Sequence, residues 1–257
     1  MHKLKGLYIL DAAPMDLIYG PDERADVARL IDLVAPPQTC TSIAQNFHLL
    51  HDVEVILSGW GSPVLDRAFL DRAPALKGFF YGSGAMGSVL TESVWERGIT
   101  VTSALAANAK AVAEYTLAVI VFSLKHGWRL MRETSQTRSF PNHHSAAGCY
   151  HTTVGLISAG AIARQLMELL ASFDMRVIVY DPFLTEGEAK HLGVERVPLD
   201  RVFRDADVIS LHTPHLAETE GLITGELLET MKQGATFPNS YTLSRFVSYA
   251  EVFPQFV

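Results

Sequence analysis

TTVGLISAGAIARQLMELLASFDMRVIVYDP, residues Thr152 to Pro182, reads as strand, turn, helix and strand in close succession. Val154-Gly155-Leu156-Ile157 is an apolar run of the length of a buried strand. Ser158-Ala159-Gly160-Ala161-Ile162-Ala163 is a turn of small residues. Ile162, Leu166, Leu169, Leu170 and Phe173 then recur at helical spacing on one face. Met175–Tyr180 is a second strand, and it ends on the carboxylate of Asp181. This order is that of a dinucleotide-binding βαβ unit.

Each part has a physical task. A small turn lets backbone amides approach a pyrophosphate, and the following helix N-terminus turns its positive dipole end toward that anion. Asp181, 21 residues beyond Gly160, has the spacing of an acid that accepts hydrogen bonds from a ribose diol. Its charge would repel a 2′-phosphate, which favours NAD over NADP. The three glycine positions of the fingerprint read Ser158, Gly160 and Ala163. Alanine is usual at the third. Serine at the first is not, because the chain turns tightly there. On spacing alone the competing explanation is an ordinary βα packing turn.

The chain has 257 residues, 48% hydrophobic and 19% charged, enough for a core and for about two domains. A net charge of −7 and the lack of a basic run argue against a nucleic-acid surface. Cys40 and Cys149 lie far apart and suggest a reducing compartment. The N-terminal apolar stretch is too short for a signal peptide. The most apolar segment, Val112 to Leu124, is too short to span a bilayer. The expectation is a soluble cytoplasmic protein with no membrane partner.

Residues 1–105 alternate strands (Leu7–Leu10, Val53–Leu57, Lys77–Tyr81, Ile99–Thr102) with helices (Asp22–Leu33, Val64–Leu70, Val89–Arg97), an α/β unit with a parallel sheet. Val27, Leu30, Ile31 and Val34 mark the apolar side of the first helix. The Gly82–Gly87 loop has two readings: a backbone cradle for a carboxylate, or a flexible βα turn. Ala109 to about Arg132 reads as one long helix with Val112, Tyr115, Val119 and Phe122 inward and Asn108 as its N-cap. Residues 106–150 form this linking helix and a polar connection. The connection holds His143, His144, Cys149 and His151 without paired metal-ligand spacing, so no metal is expected.

Residues 151–237 form the nucleotide domain. Beyond Asp181, Glu186–Leu192 reads as a helix, and Val197-Pro198-Leu199 opens the next. Asp207–Leu211 is a buried strand ending in His212-Thr213-Pro214, at the carboxyl end where open α/β sheets bind ligands. His212 there reads equally as a cofactor contact or as a strand-end histidine bonded to a neighbouring loop. Gly225–Met231 reads as a helix, and Gly234-Ala235-Thr236-Phe237 starts one more strand.

FFYGSGAMG, WERGITVTSALAANAKAVAEYTLAVI, VGLISAGAIAR, VIVYDPF, SLHTPHLAETEGLIT and MKQGATF, in this order, resemble the D-isomer-specific 2-hydroxyacid dehydrogenases over roughly residues 50–237. The resemblance implies two Rossmann-like domains with doubly wound parallel sheets, NAD as cofactor, a small 2-hydroxy or 2-keto acid as substrate, and a homodimer. It implies that backbone amides of Ser83, Gly84 and Ala85 hold the substrate carboxylate and that Asn108 lines the pocket. Val112 would lie near the nicotinamide, Ala161 and Ile162 at the pyrophosphate, and Asp181 at the ribose. His212, Thr213, Pro214 and Thr219 would wall the adenosine side. The family places a catalytic Arg after the last of these strands in a pattern like Asn-Thr-Ala-Arg-Gly. Here Asn239 is followed by Ser240, Tyr241 and Thr242, which leaves Arg245 as a weak candidate. No His follows His215, so the family's proton-transferring His is unmatched, and Glu251 sits in a tail unlike the family's.

Residues 238–257 therefore read as an atypical tail, with the second sheet expected to lack its usual C-terminal strands and to leave an exposed edge. Three functions stand open. The first is an NAD-dependent oxidoreductase acting on a 2-hydroxy acid. The second is a catalytically impaired relative that at most binds NAD, and the third is a non-enzymatic NAD-sensing interaction protein.

Overall fold

Short apolar runs with β-branched residues, separated by helix-length segments, pair as parallel strands whose faces are both covered. The computed structural model describes residues 3–144, 146, 148–214 and 216–238. The chain divides into two compact units, residues 1–108 and 109–257.

In the first unit five parallel strands, β1 Leu4–Ile9, β2 Ile31–Leu33, β3 Val55–Ser58, β4 Gly78–Tyr81 and β5 Thr100–Ser103, lie in the order β2-β1-β3-β4-β5. Side chains alternate across the sheet. Leu7, Ile9, Ile56 and Phe79 pack with helices α3 Cys40–Gln45, α4 Arg67–Leu70 and α5 Glu92–Glu96. Tyr8, Leu10, Val55 and Leu57 pack with Met15 of helix α1, Ala12–Ile18.

The helix expected over Asp22–Leu33 is shorter. Helix α2 is Pro21–Leu30, and Ile31–Leu33 becomes the edge strand β2 beside β1. A Cβ on Gly6 would lie 2.3 Å from Ile31 Cγ2, so the missing side chain on β1 is what admits this β-branched neighbour. Leu30 is left exposed. The helices expected over Val64–Leu70 and Val89–Arg97 are also trimmed, because Leu65 and Leu90 instead form a parallel bridge.

The single long helix expected from Ala109 to Arg132 is two helices, α6 Leu105–Leu124 and α7 Gly127–Thr137. Between them His126 adopts φ +53° and donates its amide to Ser123 O. Gly127 has the Phe122 ring where its Cβ would be, so the chain turns at the one residue that admits that ring. The inward face of α6 is Ala109, Ala113, Thr116, Ile120 and Leu124; Tyr115 and Phe122, expected inside, are exposed. Asn108 is not the N-cap. The helix starts at Leu105, and the Asn108 amide already donates to Ala104 O at 2.9 Å. Ala104-Leu105-Ala106-Ala107 are strong helix formers that extend the element upstream. With that extension α6 is, by length and composition, a helix long and apolar enough to cross a membrane, longer than the Val112–Leu124 segment suggested. Its buried stripe packs in the core of the second unit.

That unit holds β6 Thr152–Ile157, β7 Met175–Tyr180, β8 Glu195–Arg196 and β9 Val208–Leu211 in the parallel order β8-β7-β6-β9. Thr236 bridges Val208 on the free side of β9. Val154, Leu156 and Val208 pack with α6 and with helix α8, Ala161–Leu170. Ile157, Ile209 and Leu211 pack on the other face with helix α10, Leu199–Asp205, and with Leu227 of α11, Gly225–Glu229. Helix α9, Glu186–His191, carries a capping box in which Thr185 accepts from the Glu188 amide. A Cβ on Gly155 would meet Val202 at 2.7 Å and Ala206 at 2.9 Å, so this glycine lets α10 lie close on β6. The fold is thus α/β with two doubly wound parallel sheets. Residues 239–257, including Arg245 and Glu251, and also His215, lie outside the described residues.

Candidate functional site

Strand order reverses beside β6: the chain steps outward to β7 and β8, then returns to β9 on the other side. A crevice forms at the carboxyl ends of strands flanking such a reversal. Ser158, Ala159 and Gly160 follow β6 at that end, and His212 and Thr213 follow β9. The chain is tied across the reversal by the His212 amide, which donates to Ile157 O at 2.9 Å.

Gly160 caps α8 in extended geometry, φ −73° and ψ −171°, and a Cβ added there would meet nothing within 4 Å. The amides of Gly160, Ala161 and Ile162 donate to no acceptor among the described residues, and no side chain caps this helix. Open donors, a bare glycine face and a helix N-terminus together make an anion cradle. Ala161 is exposed at the cradle, while the Ile162 side chain is buried in the core.

Asp181 does something the sequence alone does not foretell. Its Oδ2 accepts from the Ala159 amide at 2.8 Å, and its Oδ1 accepts from Phe183 N at 2.7 Å and Leu184 N at 3.0 Å. The carboxylate therefore ties the turn after β6 to the turn after β7. Charge-assisted bonds of this kind are about twice as strong as neutral ones. One lone pair of Oδ2 is left for a ligand hydroxyl.

Sequence reading also misses Arg164. Its Nε donates to Ala159 O at 2.9 Å, and its guanidinium lies 3.4 Å from Glu188 Oε1. It braces the turn from the helix side. The only signal was an arginine one turn into the helix, which is ordinary on an exposed face.

Ser158 stands at φ +77°, a region that L side chains rarely adopt. Its hydroxyl lies 2.9 Å from that of Thr213, which is 3% exposed. His212 is 6% exposed, and neither ring nitrogen has a partner among the described residues. Burial holds its pKa down to about 4, so the ring is neutral at pH 7. Of the two sequence readings of His212, the one with a side-chain bond to a neighbouring loop finds no such bond among the described residues. Ser210 Oγ, two residues earlier on the same face of β9, is likewise buried without a partner among the described residues. Pro214 is exposed, and its carbonyl accepts from Thr219 Oγ1 at 2.7 Å. Thr219 thus fixes the loop after β9. Val112 is half-buried on α6 against the nucleotide core.

In the first unit the loop after β4 is held at both ends. The Gly82 amide donates to Ser58 O at 2.8 Å, and the Ala104 amide to Tyr81 O and Ser83 O at 3.0 and 3.1 Å. The amides of Ser83, Gly84 and Ala85 donate to no acceptor among the described residues. A Cβ on Gly84 would lie 3.2 Å from Asn108 Nδ2, so this glycine brings loop and amide side chain together. Ser83 is buried and Ala85 exposed. Among the described residues no group of three His, Cys, Asp or Glu side chains is placed to hold a metal.

Residues 117–240 match the family model of the D-isomer-specific 2-hydroxyacid dehydrogenase NAD binding domain. The chain belongs to this family. It is 30% identical over 179 residues to D-3-phosphoglycerate dehydrogenase of Mycobacterium tuberculosis, covering 68% of this chain and 33% of that protein. It is 33% identical over 181 residues to (S)-sulfolactate dehydrogenase of Chromohalobacter salexigens, covering 68% of this chain and 57% of that one. The chain thus spans about a third of the length of the phosphoglycerate dehydrogenases it matches. Among solved structures it shares its fold with a phosphoglycerate oxidoreductase from Rhizobium etli, at TM-score 0.74, 20% identity and coverage of 98% of this chain and 76% of that one. The NAD-complexed D-isomer-specific 2-hydroxyacid dehydrogenase of Lactobacillus delbrueckii ssp. bulgaricus gives a TM-score of 0.71 at 21% identity, with 91% and 70% covered.

Proposed function

We propose that this family member binds NAD(H) at the turn after β6 and acts as an oxidoreductase between a 2-hydroxy acid and the corresponding 2-keto acid. The observation that carries the reading is the open cradle: three amides at Gly160–Ile162 with no acceptor among the described residues, around a glycine whose side-chain position is empty. The residues present fit a dinucleotide. The α8 N-terminus is open to an anion, Asp181 keeps acceptor capacity for a ribose hydroxyl, and the His212 ring, without a partner among the described residues, offers a polar edge at the same end of the sheet.

The cofactor supplies the hydride acceptor or donor. Residues of this chain bind and orient. The free amides of Ser83, Gly84 and Ala85 hold the substrate carboxylate, and Asn108, set against Gly84, lines its pocket. Val112 borders the nicotinamide, and Pro214 and Thr219 the adenosine. In this reading residues 1–105 form the substrate domain and 151–237 the NAD domain, joined through 106–150.

A second reading rests on the segment after Phe237, which does not carry the Asn-Thr-Ala-Arg-Gly pattern. In it the chain binds NAD(H) but turns over poorly. Loss of one positioned electrostatic donor to the reacting group costs about 10²–10³-fold. Titration calorimetry with NADH, followed by NADH oxidation with glyoxylate, hydroxypyruvate or pyruvate, separates the two. Binding with turnover supports the first reading, binding without it the second, and no binding refutes both.

The chain is further proposed to act as a soluble cytoplasmic homodimer. Tyr115 on α6 and Trp128 and Met131 on α7 are large apolar side chains left exposed, at 62, 47 and 60%. Both cysteines are free. Sedimentation that finds only monomer at micromolar concentration would remove the dimer.

A further inference from the structure

The cradle at the start of α8 accounts for amides, but not for the residue that precedes it. Ser158 occupies a left-handed conformation without being glycine, and such a residue persists only where its surroundings over-determine it. Two bonds hold it. Its amide donates to Tyr180 O at 2.8 Å, and its hydroxyl meets Thr213 Oγ1 at 2.9 Å, across the point where strand order reverses.

Burial sets the direction of the hydroxyl bond. Thr213 is 3% exposed and has no other hydrogen-bond partner among the described residues, whereas Ser158 is half-buried at the mouth of the crevice. A buried hydroxyl proton left without an acceptor is costly. The Thr213 O–H therefore donates inward-to-outward, to Ser158 Oγ, and the Ser158 proton is left free at the mouth. It stands two residues before Gly160, at the end of β6 that feeds the helix N-terminus.

We propose that Ser158 and Thr213 work as a hydroxyl pair that donates one hydrogen bond to a phosphate oxygen of the bound nucleotide, adding a side-chain donor to the amides of the cradle. The proposal rests on the dinucleotide reading above and extends it. In that reading the turn binds through its backbone alone; here a serine and its buried partner add a contact that glycine at this position does not make. The Thr213 hydroxyl strengthens the Ser158 donor by polarising it.

The test measures NADH and ADP dissociation constants by titration calorimetry, with melting curves, for the wild type, Ser158→Gly, Thr213→Val and Thr213→Ser. A hydrogen bond to a charged acceptor is worth about tenfold or more in affinity. Ser158→Gly is expected to weaken NADH and ADP by about tenfold, and Thr213→Val by a smaller factor, about twofold, because Ser158 keeps its proton and loses only its polarising partner. Thr213→Ser, which keeps the hydroxyl, restores the wild-type affinity. In Ser158→Gly the relief of strain at φ +77° opposes the loss of the Thr213 hydroxyl's acceptor, and the melting curves check that the variant is folded at the temperature of the titration. Unchanged affinity in Ser158→Gly, or loss in Thr213→Ser equal to that in Thr213→Val, overturns the hydroxyl pair while leaving the dinucleotide reading intact. A folded wild type that binds neither ligand overturns both.

Discussion

Gly160 separates a binding role from a folding role, because its missing side chain faces open space. At φ −73° and ψ −171° any residue fits the backbone, and an added Cβ meets nothing within 4 Å. Two small terms decide the stability of Gly160→Ala. Alanine is a poorer N-cap than glycine by some tenths of a kcal/mol. It also gains about 0.4–1 kcal/mol by restricting the unfolded chain. The two nearly cancel, so the melting temperature should move by no more than about 2 °C. Binding should respond differently. A methyl group on the bare face holds a phosphate away from the amides of Ala161 and Ile162. Loss of one charge-assisted bond there costs about 1.5–3 kcal/mol, or roughly ten- to a hundredfold in the NADH dissociation constant. Gly187 on α9 is the control, since its Cβ would also meet nothing within 4 Å. Calorimetric titration of wild type, Gly160→Ala and Gly187→Ala reads the difference directly. If Gly160→Ala binds NADH within twofold of the wild type, no phosphate approaches this turn and the cradle is not the nucleotide site.

Three further outcomes are expected. Gly155→Ala places a Cβ 2.7 Å from Val202 and 2.9 Å from Ala206, so it should destabilise the second unit by about 1–3 kcal/mol, read from denaturant unfolding; an unchanged midpoint would mean that α10 shifts freely. His212 is held neutral by burial, with a pKa near 4 against 6.5 when exposed. The unfolded chain therefore takes up the proton first, and this residue lowers stability as pH falls from about 6.5 to 4, by on the order of 3 kcal/mol in total. His212→Asn should flatten that part of the pH–stability curve, and an identical curve would show that other groups govern it. Finally, the loops at the carboxyl ends of β1, β3, β4 and β5 (residues 10–16, 58–63, 82–88 and 103–108) contain no Lys, Arg or His. A phosphorylated acid finds no countercharge there, so unphosphorylated glycerate should be preferred over 3-phosphoglycerate by about tenfold or more in kcat/KM or, without turnover, in affinity. Equal values for the two acids would refute this assignment.

The sequence by itself determined the class of fold, both parallel sheets and the small-residue turn between β6 and α8. Those depend on local patterns: apolar runs of strand length, a stretch of small residues and an acid at the end of a strand. Helix limits escaped it where neighbours in space decide. Ile31 leaves a helix because Gly6 makes room beside β1, and α6 ends because the Phe122 ring occupies the side-chain position of Gly127. The site divides in the same way. Ser158, Gly160 and Asp181 were legible as positions, since a fingerprint is a matter of spacing. Only the tertiary structure decided that Asp181 spends three hydrogen bonds on the backbone, that Arg164 braces Ala159, that Thr213 shares a hydroxyl bond with Ser158 and that the His212 ring is buried unpartnered. Apart from the local bonds of Asp181 to Phe183 and Leu184, each of these joins atoms 5 to 55 residues apart or follows from burial, and both are settled by packing rather than by neighbours along the chain.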